Sequence, residues 1–330
     1  MADAVVLGQV GRDLVLRTGR LPAPGGSATV TQRIEVLGGK GANQAVALTQ
    51  LGIAVALVGV VGDDEPGRSA RRQATADGVD ISRVLTRSGG TTALWLDLVE
   101  DGGRRHLVEH VAAEVLLTAA DVEAAAAGLA GCRLLSLQLQ QPGEAVRAAL
   151  EHAPATAMVL SDGDPADEET RAAVLARADV VRADAAEAGR LVGRRLDGVD
   201  DARKAAAELM AGGARLVALA VGKAGDLVVW RTGAPFRGMA GEQEADPRWT
   251  DGDVLVPLLG SAPVDPTGAG DAYVAALAAT LLGGAGPEDA AWAASAAAAL
   301  TVAHAGGRPS LSAAALRDVV LRHRRAGASG

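Results

Sequence analysis

A mainly parallel α/β domain with a small β-sheet projecting from it is the fold class this sequence predicts, and three observations carry that expectation. Short runs rich in Val and Leu recur along the chain: AVVLG at 4–8, VALVGVVG at 55–62, RLLSLQL at 133–139, TAMVLSD at 156–162, VVRAD at 180–184 and RLVALAVG at 215–222. Longer Ala/Glu/Arg segments of helical composition, such as 202–211, separate them. Strands buried on both faces read as continuous apolar runs, and their alternation with helical segments predicts βαβ units. Two stretches, 12–37 and 91–111, instead alternate apolar and polar residues between turn signals, as in TALWLDLVE and RRHLVEHV. That spacing suits antiparallel strands rather than crossover helices.

The 330 residues, 49% of them hydrophobic, suffice to bury one large core, and a single domain over 1–330 is expected. Segment 236–263 has no clear periodicity and reads as a long functional loop or insertion. A formal net charge of -8 argues against a nucleic-acid binder, because such affinity rests on clustered Lys and Arg. Lysine occurs only at Lys40, Lys204 and Lys223. Cys132 is the sole cysteine, so neither an intrachain disulfide nor a thiolate metal cluster can form. The first residues lack the basic and apolar regions of a signal peptide, and no apolar run reaches membrane-spanning length. A cytoplasmic protein with no membrane partner is expected.

Two glycine-rich turns carry the chemistry. In VDPTGAGDAYVAAL, Gly268, Ala269 and Gly270 let backbone amides approach an anion, and the apolar sequence after them starts a helix whose N-terminus favours negative charge. Asp271 falls on its first turn, where a carboxylate is also welcome simply as a cap. In GGKGANQAVALTQLG the glycines permit a tight bend, and Lys40 and Asn43 place a cation and an amide at its mouth. Neither Lys40 nor Lys223 has the upstream glycine spacing and following Ser or Thr of a Walker A loop, and no Gly-x-Gly-x-x-Gly opens the first helix.

Taken together, GGKGAN at 38–43 and DPTGAGD at 265–271 resemble the ribokinase, or PfkB, family of carbohydrate kinases, a resemblance that extends through VVLGQVGRD, GVVGDDEPG, AVGKAG and GGRPSLS. It implies a ribokinase-like three-layer α/β/α sandwich with a β lid that closes over a sugar. It also implies ATP and magnesium ions as cofactors, small-molecule sugar and ATP as partners, and a homodimer in which lids pair. Asp271 would be the catalytic base, with the Gly268, Ala269 and Gly270 amides as the anion hole. Sugar contacts would fall on Asp13, Gly39, Lys40, Asn43 and Asp265, with Gln140 at a further sugar-contacting position. For the nucleotide, Gly222 and Gly225 match the turn near the phosphates, Lys223 stands between them, and Ser295 flanks the base pocket. A monovalent cation, typically potassium, would map to Asp265, Thr267, Thr301, His304, Gly306 and Ser310. Without the family, Asp13 reads as a turn residue, Lys223 as a solvated lysine and His304 as an incidental loop histidine.

Three positions depart from that pattern. The family's Asn-x-x-Glu, which positions magnesium-bound water, reads Asp184 to Glu187 here, an exposed acidic turn if judged alone. Gly11 stands where ribose-specific relatives have Asn, and Gln140 where they have Glu. The last two changes remove groups that would grip a pentose, so either a sugar other than ribose fills the space or activity has weakened; the leading expectation is a kinase for the primary hydroxyl of a small sugar. A nucleoside kinase of the same superfamily, and a non-catalytic sugar or nucleotide sensor, are the alternatives.

Overall fold

The computed structural model describes residues 2–102, 104–231, 237, 250–260, 264–304 and 310–327. The apolar runs form β1 (Ala4–Leu7), β4 (Val55–Gly62), β8 (Leu134–Gln138), β9 (Met158–Asp162), β10 (Val180–Ala183) and β11 (Leu216–Ala220). With β5 (Asp80–Arg87), β12 (Asp226–Trp230) and β13 (Gly252–Val256) they make one sheet in the order β13-β12-β11-β10-β9-β8-β1-β4-β5. Its pairings are parallel from β11 to β5, while β12 and β13 pair antiparallel.

Successive strand residues point to opposite faces, which is why β1 feeds two cores. Ala4 and Val6 pack with α1 (Lys40–Gln50), α2 (Glu65–Ala76), α8 (Ala269–Leu282), α9 (Pro287–Val302) and α10 (Ala313–Gly327). Val5 and Leu7 pack with α3 (Ala119–Leu129), α4 (Gly143–His152), α5 (Glu168–Arg177), α6 (Ala185–Leu191) and α7 (Val199–Ala211). The result is helix, sheet, helix in three layers. Side-chain caps fix several entries: Asp64 accepts from the Gly67 amide, Asp167 from Thr170, and Thr118 with Asp121 closes a capping box. No helix among the described residues is long and apolar enough to cross a membrane.

A second sheet, ordered β3-β2-β6-β7, is built of β2 (Gly11–Thr18), β3 (Val30–Gly38), β6 (Ala93–Glu100) and β7 (Arg105–His110). Since β2 leaves the C-terminal end of β1 and β3 runs straight into α1, this sheet stands over the carboxyl ends of the main strands. That is where crevices open in a parallel sheet.

The structure corrects the sequence reading at the sheet edges. Segment 236–263 is not simply a loop, because Gly252–Val256 is the edge strand β13; residues 238–249 and 261–263 lie outside the described residues. β5, the opposite edge, and β12 also went unread. An edge strand has one wet face, so DISRVLTR carries charges where a central strand shows an unbroken apolar run.

Candidate active site

The site is assembled where two glycine turns meet. At Gly39 the backbone has φ 92°, and a Cβ there would stand 2.6 Å from the Gln9 carbonyl oxygen. Gly41 lies against Gly8 so closely that a Cβ would come within 2.6 Å of the Gly8 carbonyl carbon. This contact seats the first turn of α1 on the end of β1 and fixes Lys40, Asn43 and Gln44. At the other turn Gly268 has φ 71° and opens α8. The Asp265 carboxylate accepts from the Thr267 amide at 2.9 Å, and the Val264 and Asp265 amides both donate to the Val302 carbonyl. The first-turn amides of α8 have no intrahelical acceptors, as at any helix start.

Asp271 is buried at the meeting point. Its carboxylate accepts from Asn43 Nδ2 at 3.2 Å and from Gln44 Nε2 at 3.3 Å. Gln44 also donates to Asp162 at 2.9 Å and accepts from the Ser136 hydroxyl at 3.0 Å, so it is locked in place. Burial, reinforced by the Asp162 charge, pushes the Asp271 carboxyl up to about 7, against the pull of Lys40, Asn43 and Gln44. Asp13 on β2 is also raised to about 7, by burial first and then by Asp271 and Asp97. Gly38 makes room for it, since a Cβ there would lie 2.3 Å from Asp13 Oδ1.

A cavity of about 260 Å³ opens over these residues, lined by Asp13, Lys40, Asn43, Gln140, Gly268 and Asp271 among others. The second sheet roofs it with Trp95, Asp97, Arg105 and Leu107. Arg105 Nη2 donates to Asp97 at 2.9 Å, and Thr267 Oγ1 donates to the same carboxylate at 3.2 Å, tying roof to floor. Gly11 lets the Trp95 ring in, because a Cβ at Gly11 would meet Trp95 at 2.8 Å and the Ala93 carbonyl at 2.4 Å. Asn43 Oδ1 is buried without a hydrogen-bond partner. An orphaned acceptor of that kind is costly unless a ligand hydroxyl serves it.

A second cavity of about 290 Å³ lies beyond the α8 turn, with Ala269, Tyr273 and Ser295 in its wall and Leu259, Ala299 and Val302 as an apolar side. Ser295 donates to Asp226 at 3.1 Å. Arg182, Pro266 and Gly270 line both cavities.

The remaining sequence candidates fall as follows. Gly222 and Gly225 bend the β11–β12 turn with φ 55° and 112°, and Lys223 between them is exposed. Asp184 and Glu187 are not an exposed acidic turn. Asp184 caps α6 by accepting the Ala186 and Glu187 amides on Oδ1, while Glu187 is buried, accepts the Asp184 amide and pairs with Lys40 at 3.2 Å. Among the described residues no group of three or more His, Cys, Asp or Glu side chains gathers to hold a metal ion. Several members of the set expected for a monovalent cation would contribute backbone carbonyls, and two of its side chains bond the preceding helix turn instead. Thr301 Oγ1 donates to the Ala297 carbonyl, His304 Nδ1 bonds the Leu300 carbonyl, Ser310 is exposed, and Gly306 lies outside the described residues.

Sequence reasoning missed Gln44, Trp95, Asp97, Arg105, Asp162 and Arg182. A signal existed for two of them, since Asp162 ends the apolar strand β9 and Arg182 is the polar residue before the last position of β10, at the carboxyl edge where ligands bind.

An open α/β sheet with a glycine-opened helix start, a buried carboxylate and paired cavities is an arrangement suited to phosphoryl transfer. The chain belongs to the pfkB family of carbohydrate kinases, whose model matches residues 1–314; these are phosphotransferases acting on sugar hydroxyls. It is 34% identical over 159 residues to the ribokinase of Schizosaccharomyces pombe, covering 46% of this chain and 49% of that one, and so spans about half the length of that relative. It is 28% identical over 280 residues to the deoxyribokinase of Salmonella typhi, covering 84% of each. In fold it is similar to Arabidopsis thaliana ribokinase complexed with ribose and ATP, with a TM-score of 0.74, 20% identity, and coverage of 97% and 98%.

Proposed function

We propose that this protein transfers the γ-phosphoryl group of ATP to a hydroxyl, expected to be primary, of a small carbohydrate. The observation that carries this reading is Asp271, buried in the wall of the first cavity next to Gly270, which lines both cavities. The acceptor takes the cavity under the smaller sheet. Asp13, Lys40 and the orphaned Asn43 Oδ1 hold its hydroxyls, with Gly39, Gln140 and Asp265 completing or supporting the pocket. ATP takes the second cavity, its base near Ser295 and its phosphates near Gly222, Lys223 and Gly225. Asp271, as carboxylate, accepts the proton of the attacking hydroxyl. The hydroxyl oxygen bonds to phosphorus as the bond to ADP breaks, and the Gly268, Ala269 and Gly270 amides stabilise the transferring group. When bound, magnesium would neutralise phosphate charge, held through water by Asp184 and Glu187. The smaller sheet acts as a lid that excludes water.

Gly11, with Trp95 filling the space beside it, gives the acceptor an apolar wall where a ribose-specific site offers an amide. This favours an acceptor other than ribose, and it keeps a nucleoside as the second reading, because an indole in the pocket wall can stack on a base. The test is ATP consumption with magnesium and potassium ions over ribose, 2-deoxyribose, other pentoses and hexoses, sugar phosphates and adenosine. Turnover with a sugar and none with adenosine supports the proposal; turnover with adenosine alone selects the second reading. A folded protein that binds ATP and turns over no acceptor would instead be a sensor.

A homodimer paired through the smaller sheets is also proposed. Val30, Leu107 and Val108 are exposed on its edge strands β3 and β7, and such edges pair readily. Light scattering at micromolar concentration should give twice the mass of one chain; a monomer rejects the pairing.

A further inference from the structure

Arg182 is the one charged side chain shared by both cavities among the described residues. It is the next-to-last residue of β10 and is mostly buried. Nη1 donates to Asp162 Oδ1 at 2.8 Å and lies 4.0 Å from Glu187 Oε2. Asp162 is itself held by Gln44, so the guanidinium is fixed through the same amide that touches Asp271. The Nη2 edge makes no hydrogen bond among the described residues and faces the α8 turn, where a Cβ on Gly270 would stand 3.0 Å from it. The absent side chain at Gly270 thus leaves an open path between a fixed guanidinium edge and the anion-receiving turn.

Lys40 and Arg182 are cations set among the carboxylates of the first cavity. Asp162, Glu187 and Asp226 surround the guanidinium and keep it protonated, and Asp184 adds a carboxylate where the family pattern has an amide. A transferring phosphoryl group entering this acidic surrounding would otherwise meet repulsion. Guanidinium is suited to the task, since it offers two parallel donors to phosphate oxygens and stays charged at any working pH.

We infer that Arg182 is a catalytic residue, its Nη2 edge donating to an oxygen of the γ-phosphoryl group as that group passes from ATP to the acceptor. The inference rests on the kinase reading above. Arg182 forms no covalent bond. The acceptor oxygen bonds to phosphorus, the bond to the β-phosphate oxygen breaks with its electrons leaving on ADP, and the acceptor proton goes to Asp271. Because positive charge at this point matters most when the phosphoryl group is in flight, Arg182 should act on kcat more than on acceptor binding.

The variants are Arg182→Gln, Arg182→Lys, Arg182→Ala and the double variant Asp162→Asn with Arg182→Gln, which avoids leaving Asp162 buried without its partner. With the acceptor turned over in the panel, Arg182→Gln should lower kcat about a hundredfold or more while acceptor KM stays within about threefold, the size typical of losing one transition-state donor. Arg182→Lys should recover part of that loss, and millimolar guanidinium should raise kcat of Arg182→Ala about tenfold, as only a vacated guanidinium site allows. An acceptor-free measurement accompanies these: the rise in Tm on adding aluminium fluoride to protein with ADP and magnesium. Wild type should gain, and both Gln-containing variants should not. Equal gains in wild type and variants, no gain in wild type, or kcat within threefold of wild type in the Gln-containing variants would overturn the inference. If Arg182→Gln keeps activity while Asp271→Asn is dead, the Arg182 inference alone fails; if no acceptor is turned over by wild type, it is the kinase reading that fails.

Discussion

Asp271→Asn is expected to reduce phosphoryl transfer by about a thousandfold, within the range of a lost general base, while acceptor affinity measured by calorimetry changes by less than about threefold. The substitution keeps shape, and its one oxygen can keep the bond from Asn43 Nδ2, while its amide nitrogen then faces the Gln44 Nε2 donor and that bond is lost. What disappears is the anion that takes the acceptor proton. Because Asp271 is buried beside Asp162, removing its charge relieves repulsion, which offsets the lost Gln44 bond, so stability should stay within about 1 kcal/mol of wild type. Turnover within tenfold of wild type would show that Asp271 is not the base.

Gly41→Ala should have a large structural effect for a single methyl group. Its Cβ would fall 2.6 Å from the Gly8 carbonyl carbon and 2.9 Å from the Gln9 amide, both main-chain atoms that cannot swing aside. The first turn of α1 must then lift from β1. We expect about 2–3 kcal/mol of destabilisation, the usual cost of overpacking, together with loss of transfer, because Lys40, Asn43 and Gln44 ride on that turn. Urea unfolding measures the first effect. An unchanged midpoint would mean that α1 does not depend on this contact.

Much of this architecture was legible from residue order because central strands and glycine turns leave strong local signals. VALVGVVG is buried at every position, and it reads so. The two glycine turns name Asp271, Lys40 and Asn43 directly, and the structure brings these three side chains into one cluster. What stayed hidden depends on tertiary placement. DISRVLTR is a strand only because one face lies on the sheet edge. Trp95 enters the acceptor cavity because Gly11, far away in sequence, has no side chain. Glu187 looks like a solvated acid in ADAAEAGRL, yet Lys40 from the other end of the site buries and neutralises it. Arg182 reads as a charge interrupting a strand, and its partner Asp162 is a neighbour only across the β9–β10 pairing.

The central claim is that a buried Asp271 must be ionised to take the acceptor proton, and the kcat/KM profile between pH 5.5 and 8.5 tests it most directly. Burial raises both Asp271 and Asp13 to about 7. Below that pH each carboxyl holds a proton, so Asp271 cannot accept another; above it the carboxylate form prevails. Activity should therefore climb more than tenfold from pH 5.5 to 7.5 and then level off. Lys40→Met, which removes a charge that favours the carboxylate, should move the rising limb to higher pH. A wild-type profile flat across the range, or one that falls as pH rises toward 7, would contradict the assignment of Asp271 as the base.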